Sequence, residues 1–403
     1  MLLGIKSFSQ EKDLFYFLAK AQKNSPLLID YKNQIQSATL DSLLYRATNK
    51  TQITGNLNAN YSPIIKGFGY DTALSNGQSI SGLLNVSKKI IGKNQNQYQS
   101  QTFALLKQTL DVNRKIALKD LNKAIISQYI AASGSAQQVD YNKKIAFLLN
   151  QEIVILKKLT QNGIYKQTDY LMFSATVKQQ ELTVLQLQQQ NQNDLALLNY
   201  LSGETDTTFI NLKKPIIELK RLKNETKIIF LKQFEVDSLK LINQNKLIDI
   251  AYKPSLTLLS DAGYLSTFTN QGYKNFGFSV GLGVSIPIYD GNQRLLQHQK
   301  NEAALLTNLA YKTNLKKQYS QQLLMLNLKL TQANTYEKQL QSQLIIYEAL
   351  IEANKKLLYS GDAQITDYII TLGNLISIKN TISLNSINKL QTINEINYWS
   401  FND

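Results

Sequence analysis

Asp169 and Asp367 are the side chains whose type and spacing most invite a chemical reading. Each lies in the same small pattern: a glycine, four variable residues, then Thr-Asp-Tyr. One copy is Gly163, Thr168, Asp169 and Tyr170 in "NGIYKQTDYL"; the other is Gly361, Thr366, Asp367 and Tyr368 in "SGDAQITDYI". The copies stand 198 residues apart and in register, and Asp362 adds a carboxylate beside the second. What these groups can do is bounded by their company. The chain has no Cys and a single His, His298. A thiolate metal site, a Cys nucleophile and a His-based acid–base pair therefore have no material. No catalytic constellation, metal set or cofactor motif stands out, and the sequence is not that of an enzyme. The chemistry left to the carboxylates is electrostatic, beginning with negative charge in a helix's first turn, where the backbone dipole favours it.

The elements that position them follow from the prolines. There are five: Pro26, Pro63, Pro215, Pro254 and Pro287. The proline-free windows between them allow two long helices, about Asn94 to Asn162 and about Gln293 to Ser360. In the first, Leu105, Leu106, Leu110, Val112, Ile116, Leu121, Ile125 and Tyr129 recur at helical spacing. Each helix is roughly 100 Å long at ~1.5 Å per residue. Gly134 is the expected weak point or kink in the first; the second has no interior glycine. Each ends at the glycine of a repeated mark, and a shorter helix follows, Thr168 to Leu201 and Thr366 to Trp399. Gly163 and Gly361 suit the left-handed residue that closes a helix, and Thr168 and Thr366 suit the cap that opens the next. Each mark reads as the tip of a helical hairpin, and the chain as a tandem repeat.

A different period precedes each long helix. "TQITGNLNANYS" (Thr51 to Ser62), "SISGLLNVSKKI" (Ser79 to Ile90, with Leu83 off the pattern), "PSLTLLSDAGY" (Pro254 to Tyr264, less regularly) and "FGFSVGLGVSIPI" (Phe276 to Ile288) alternate with period two. The last is the sharpest: Phe276, Phe278, Val280, Leu282, Val284, Ile286 and Ile288 on one face, glycines and serines on the other. Their lengths are near the ~9–11 residues that cross a bilayer at a tilt. An apolar face opposite a small polar one fits a barrel with lipid outside and water inside. A soluble sandwich with one wet face is the competing reading, but four strands are few for it. Four strands also cannot close a barrel, and open edges are costly in lipid. Several copies must contribute, and three would give twelve strands. Tyr61, Tyr264 and Tyr289 are candidates for the membrane boundary. Lys88 and Lys89 fall near a strand end, where charge costs less.

Net charge is +15, with a pI near 9.5. The densest basic segment holds Lys213, Lys214, Lys220, Arg221, Lys223, Lys227 and Lys232, but it lacks an interleaved aromatic platform and reads as a solvated face rather than a nucleic-acid site. No run of ~18 apolar residues marks a membrane helix. The opening "LLGIKSFSQ" resembles the end of a signal peptide, with Ser7-Phe8-Ser9 as a small-x-small pattern.

Taken in order, these stretches resemble the TolC-type outer-membrane efflux proteins, the outer membrane factor family. "VSIPIYDGNQRLLQHQKNEAALLTNLAY" (Val284 to Tyr311) is similar to that family's strand-to-helix junction, placing Pro287, Tyr289, Asp290 and Gly291 at the turn. Leu159 to Gly203 is similar to the first periplasmic tip and its return helix, and Leu357 to Asn380 to the second tip. Asp13 to Ile35 resembles the opening helix with its Asn-Ser-Pro turn, and Tyr252 to Tyr264 the start of the third strand. The resemblance covers nearly the whole chain in both halves.

The resemblance implies an α/β membrane protein: a transmembrane β-barrel, four strands per chain and twelve per trimer, continued by a long periplasmic α-helical barrel. Its parts would be an N-terminal helix over 1–50, a first β-hairpin over 51–92, and a first helical hairpin over 93–203. An equatorial segment with a connecting helix over 204–253, a second β-hairpin over 254–290 and a second helical hairpin over 291–403 would follow. The implied function is a passive exit duct of a tripartite efflux or type I secretion system. The duct would sit in the outer membrane of a Gram-negative bacterium, with a large periplasmic portion. Its implied partners are two further copies, outer-membrane lipid, a periplasmic membrane-fusion adaptor and an inner-membrane pump of RND or ABC type. The tip residues Gly163, Thr168, Asp169, Gly361, Asp362, Thr366 and Asp367 would then meet the adaptor, with the aspartates as charged rings at the periplasmic mouth. Two departures stand out. The first junction has Lys88-Lys89 where the second has Ile286-Pro287, and Ala363 stands where the family often places a basic residue of its closing network. The rival readings are a soluble helical scaffold and a periplasmic adaptor; the strands before each long helix favour the duct.

Overall fold

The computed structural model describes residues 12–71, 77–205, 211–220, 228–267, 274–362 and 364–400. The Ser7-Phe8-Ser9 pattern, Arg221, Lys223, Lys227 and Ala363 lie outside the described residues. Seven helices and four strands make up the regular structure among those described: α1 (Leu14–Asn24), α2 (Pro26–Thr48), β1 (Gln52–Tyr61), β2 (Gln78–Ile90), α3 (Lys93–Gln161), α4 (Gln167–Ser202), α5 (Ile229–Ala251), β3 (Ser255–Ser266), β4 (Phe276–Ser285), α6 (Gln293–Ser360) and α7 (Ile365–Ser400). The two halves repeat this order: α3 and α6 have 69 and 68 residues, and α4 and α7 have 36 each.

Local chemistry sets the breaks. Asp13 caps α1 by accepting the Tyr16 N–H at 2.9 Å. Ser25 then turns extended, and Pro26 begins α2 at the one helical position where a missing N–H is harmless. α3 continues as one helix through Gly134. A Cβ on Gly134 would meet Ile387 Cδ1 at 2.3 Å, so the glycine makes room for α7.

The chain groups into two compact units. One comprises Met1–Asp30, Arg114–Leu231 and Asn314–Asp403, the other Tyr31–Asn113 and Lys232–Thr313. The first unit is helical and holds three buried clusters. Phe17, Ala21, Ile125, Tyr129, Ala132, Leu195 and Leu198 join α1, α3 and α4. Ile228, Leu231 and Tyr319 pack with Phe230 and Trp399. The third cluster surrounds the two tips. Between clusters, amide side chains bridge the helices. Asn191 donates to the Ala132 carbonyl at 3.0 Å and to Ser135 Oγ at 3.1 Å. Gln391 donates to the Ser127 carbonyl at 2.8 Å and accepts from Ser127 Oγ at 2.7 Å, and Asn394 donates to the Lys123 carbonyl at 3.1 Å.

The second unit carries the sheet, antiparallel throughout in the order β1-β2-β3-β4. Residues directly opposite in register share a face. The row Ile53, Val86, Ser260, Val280 therefore lies on one side, as do Leu57, Gly82 and Tyr264, then Gly55, Leu84, Ala262 and Phe278. The other side carries Thr54, Asn56, Asn58, Ser81, Asn85, Asp261, Ser279 and Gly281, with Leu83, Leu259 and Leu265 as its apolar members. All four alternations thus fall into phase on a single apolar face, and that face is bare: Leu57 is 87% exposed, Phe278 83% and Val280 69%. Ser260, the polar member of the apolar row, donates its hydroxyl to the Ser279 carbonyl at 2.9 Å.

The seam between the two hairpins is β2 against β3. Gly263, at φ 154, pairs with Leu83, and a Cβ there would lie 2.1 Å from the Gly82 carbonyl oxygen. Only glycine allows that approach. Gly263→Val is expected to part the seam at a cost of at least about 1–3 kcal/mol. A lowered unfolding temperature of the detergent-solubilised protein checks it; an unchanged temperature would mean that β2 can shift aside.

Candidate functional site

The repeated tips share one backbone closure. At the end of α3, Gly163 takes φ 74, its N–H bonds the Thr160 carbonyl at 3.0 Å, and the Ile164 N–H reaches back to Leu159 at 3.0 Å. At the end of α6, Gly361 takes φ 84, its N–H bonds Leu358 at 3.4 Å, and the Asp362 N–H reaches Leu357 at 2.9 Å. Both are Schellman closures, which satisfy the last carbonyls of a helix through a left-handed residue. Every atom in the second bond pair is 198 residues from its counterpart.

The helices that follow open differently from the sequence expectation. α4 begins at Gln167 and α7 at Ile365, so Thr168 and Thr366 are second helical residues and not caps. The capping is done by a carboxylate. Asp169 accepts the Lys166 backbone N–H at 3.0 Å, while its own N–H bonds the Lys166 carbonyl at 3.0 Å. Lys166 has no side-chain acceptor, so an acid three residues on serves instead. Asp367 occupies the matching third position of α7. Asp169 is half-buried, and Asp362 and Asp367 are exposed.

The tips are packed on each other. Ile145, Leu149, Leu156, Tyr165, Phe173, Val177, Leu358, Ile365, Tyr368 and Leu372 form one buried cluster drawn from both hairpins. Tyr165, two residues past Gly163, donates its hydroxyl to the Leu358 carbonyl of α6 at 2.9 Å. Ile164 rests where Gly361 lacks a side chain, since a Cβ there would be 2.8 Å from Ile164 Cγ2. Deeper in, the almost wholly buried carboxylate of Glu152 on α3 accepts from Lys355 Nζ and from the Tyr359 hydroxyl of α6, each at 2.8 Å. Asp362 accepts from Ser360 Oγ at 2.7 Å.

These contacts favour protonated partners. Burial pushes the Tyr165 hydroxyl above its ordinary pKa, with the Asp169 and Asp362 carboxylates adding to it. The hydrogen bond to Glu152 raises Lys355. Burial first, then Glu152, raises Tyr359. Groups raised on folding add stability below their unfolded values and lose it as pH rises through the folded ones. The contributions of Tyr165, Lys355 and Tyr359 are therefore present at neutral pH and are lost on the alkaline side.

The junction residues belong to the other unit. β4 ends at Ser285, and the stretch carrying Pro287 and Tyr289 runs on irregularly, with Tyr289 89% exposed. Asp290 then caps α6: its carboxylate accepts the Asn292 N–H at 2.9 Å and the Arg294 N–H at 2.8 Å, with Gly291 at φ 62 and Asn292 at φ 69. Those bonds, that of Arg294 foremost, hold Asp290 below the usual carboxylate range. Asp249 on α5 is held low in the same way by Arg294, at 2.9 Å, with His298 at 3.0 Å. The chain's only histidine thus shares the Asp249 carboxylate with Arg294.

Sequence reasoning missed Tyr165, Glu152, Lys355 and Asp249. Lys355 and Tyr359 do sit four apart on one helix face, which was a usable signal. Among the described residues no group of three or more His, Asp or Glu side chains could hold a metal ion, and no helix is long and apolar enough to cross a membrane.

No protein-family model and no curated protein sequence matches the chain. Solved structures do. The chain is similar to CusC, described as forming a transmembrane channel, at TM-score 0.82 and 12% identity over 100% of this chain and 95% of that one. It is similar to the outer-membrane protein VceC of Vibrio cholerae at TM-score 0.76 and 13% identity, over 96% of each chain. The CmeC outer-membrane channel of Campylobacter jejuni gives TM-score 0.76 and 12% identity, over 96% of this chain and 85% of that one. At these identities the likeness establishes the fold: a β-sheet and long helices arranged as in the outer membrane factor channels.

Tyr165→Phe deletes the bond to Leu358 and is expected to cost about 0.5–1.5 kcal/mol; Glu152→Ala strands Lys355 and should cost more, about 1–3 kcal/mol. Amide hydrogen exchange over 158–165 and 355–362 should quicken severalfold in each, more in the second. Unaltered exchange would mean that the apolar cluster alone holds the tips together.

Proposed function

We propose that this chain is one of three identical subunits of a passive outer-membrane exit duct. The observation that carries the proposal is the sheet. Its apolar face is bare, and its two edge strands carry none of the devices that keep edges from pairing. β1 (QITGNLNANY) and β4 (FGFSVGLGVS) contain no charge and no proline. Such an edge wants a partner, and β1 of one copy against β4 of the next supplies one. Three copies close twelve strands, with Phe278, Val280 and Leu57 toward lipid and Asn56, Asn58 and Ser279 toward water. The fold shared with known outer-membrane channels supports the same arrangement.

In this reading the α-helical part lies in the periplasm of a Gram-negative cell, and the tips meet the rest of an export system. Gly163 leaves bare backbone there, since a Cβ on it would touch nothing within 4 Å, whereas Gly361 is covered by Ile164. That surface suits the close approach of an adaptor hairpin, which would link the duct to an inner-membrane pump of RND or ABC type. No step of this work needs a catalytic group or cofactor. The duct acts by width, by a polar lining and by a mouth ringed with Asp169, Asp362 and Asp367, whose charge favours cations. Tyr61 and Tyr289, exposed near opposite strand ends, take the membrane boundary.

The test is assembly and conductance. Purified from membranes, the protein should need detergent, have the mass of three chains and form ion-conducting pores in planar bilayers. A chain that stays monomeric in plain buffer would overturn the reading. Val280→Arg, on the apolar row, should cost roughly 2–4 kcal/mol per site and sharply reduce trimer recovered from membranes. Normal insertion would mean that the lipid-facing side was assigned wrongly. Asp169→Asn with Asp367→Asn should lower cation-over-anion permeability in the pore without abolishing conductance. Unchanged permeability would restrict both aspartates to their helix-end role.

A further inference from the structure

The two strand-to-helix junctions handle their helix ends in opposite ways. In the second, the Asp290 carboxylate sits on the first N–H groups of α6. The residue 198 positions earlier is Gly92, and α3 begins with no acidic residue in its first turn. Where the second junction has its own anion, the first has cations. Lys88, Lys89 and Arg46 line a cavity of about 610 Å³ together with Asn49, Ile90, Ile91, Asn96 and Leu258, and no acidic residue is among them. None of the three cations has a salt-bridge partner among the described residues. Asn49 Nδ2, on the same lining, is buried without a hydrogen-bond partner.

From this we infer that the cavity binds the phosphate of a phospholipid headgroup, a reading that rests on the membrane assignment proposed above. Three cations and an idle amide donor match a phosphate diester's charge and acceptors. The chemistry also fits a free phosphate ion, but the apolar part of the lining favours lipid. Lys88 and Leu258 are register partners on the bare apolar face, and Ile90 follows two residues on, on the same side. The cavity therefore joins cations to the surface that acyl chains would cover. Lys88 can lie along that surface by its methylenes and raise its ammonium to headgroup level.

The experiment uses the detergent-solubilised full chain and native mass spectrometry. The probe is palmitoyl-oleoyl phosphatidylglycerol, with dioleoylglycerol and inorganic phosphate as separate arms. The wild-type protein should retain the phosphatidylglycerol. Lys88→Gln alone should weaken retention about fivefold, and the triple variant K88Q, K89Q and R46Q about a hundredfold, the change expected at ~1 kcal/mol per cation. The charge-keeping K88R and K89R pair should restore it. Dioleoylglycerol should bind no better to wild type than to the triple variant, and millimolar inorganic phosphate should leave the lipid in place. Equal retention by the triple variant overturns the proposal, as does displacement by inorganic phosphate, which would make this a solute site. Assembly mass and pore conductance, read on the same samples, separate the two levels. A triple variant that assembles and conducts yet keeps its lipid refutes the site alone, whereas a wild-type chain that neither assembles nor conducts refutes the membrane reading beneath it.

Discussion

A backbone N–H or C=O facing hydrocarbon has nothing to bond, and each costs several kcal/mol there. In a single copy of this chain, β1 pairs only with β2 and β4 only with β3. The outer row of each edge strand is therefore open over ten residues, and the apolar face beside it is uncovered. Water could serve the edges but not the face; lipid could serve the face but not the edges. In the proposed trimer, pairing with further copies satisfies both. The subunit's fold leaves that demand to assembly, and the proposed trimer follows from it rather than from any contact between helices.

The helices face a different problem. α3 and α6 alternate polar and apolar residues too weakly for a single stripe to fix which turn packs against which. Buried amides supply the missing register. Asn191, Gln391 and Asn394 each donate to a backbone carbonyl of a neighbouring helix, and Asn142 accepts from Gln180 at 2.9 Å. A slip by one turn would leave several buried amides without partners, at about 1–3 kcal/mol each. Apolar packing decides that the helices associate, and the amides decide where along their length.

Much of this was legible because it depends on local rules. The α6 limits were read to the residue, since proline ends one side and glycine the other. The shared apolar face was read strand by strand, and pairing then put the faces in phase. What the sequence hid was any choice settled by a distant neighbour. Thr168 looked like a cap because a hydroxyl before a helix usually is one; Asp169 at the third position won the site. Gly134 looked like a hinge because nothing in α3 reveals that Ile387 will press against it. Gly263 was noted only as one residue of an irregular strand, although the β2–β3 seam depends on it. The Glu152–Lys355–Tyr359 group joins residues more than 200 positions apart, with only the Lys355 and Tyr359 spacing as a hint.

The repeat also shows how one solution divides into two duties. Both tips keep the same backbone closure, because every helix end must satisfy its carbonyls. The side chains that ride on it differ. Ile164 and Tyr165 reach out from the first tip, and the second receives them with a bare glycine and the Leu358 carbonyl. Without them the ends would be joined by the rest of the apolar cluster and by Glu152. The junctions diverge in the same way, one supplying its own carboxylate at Asp290 and the other gathering cations around Gly92. Identical backbones with complementary side chains let one half of the chain bind the other.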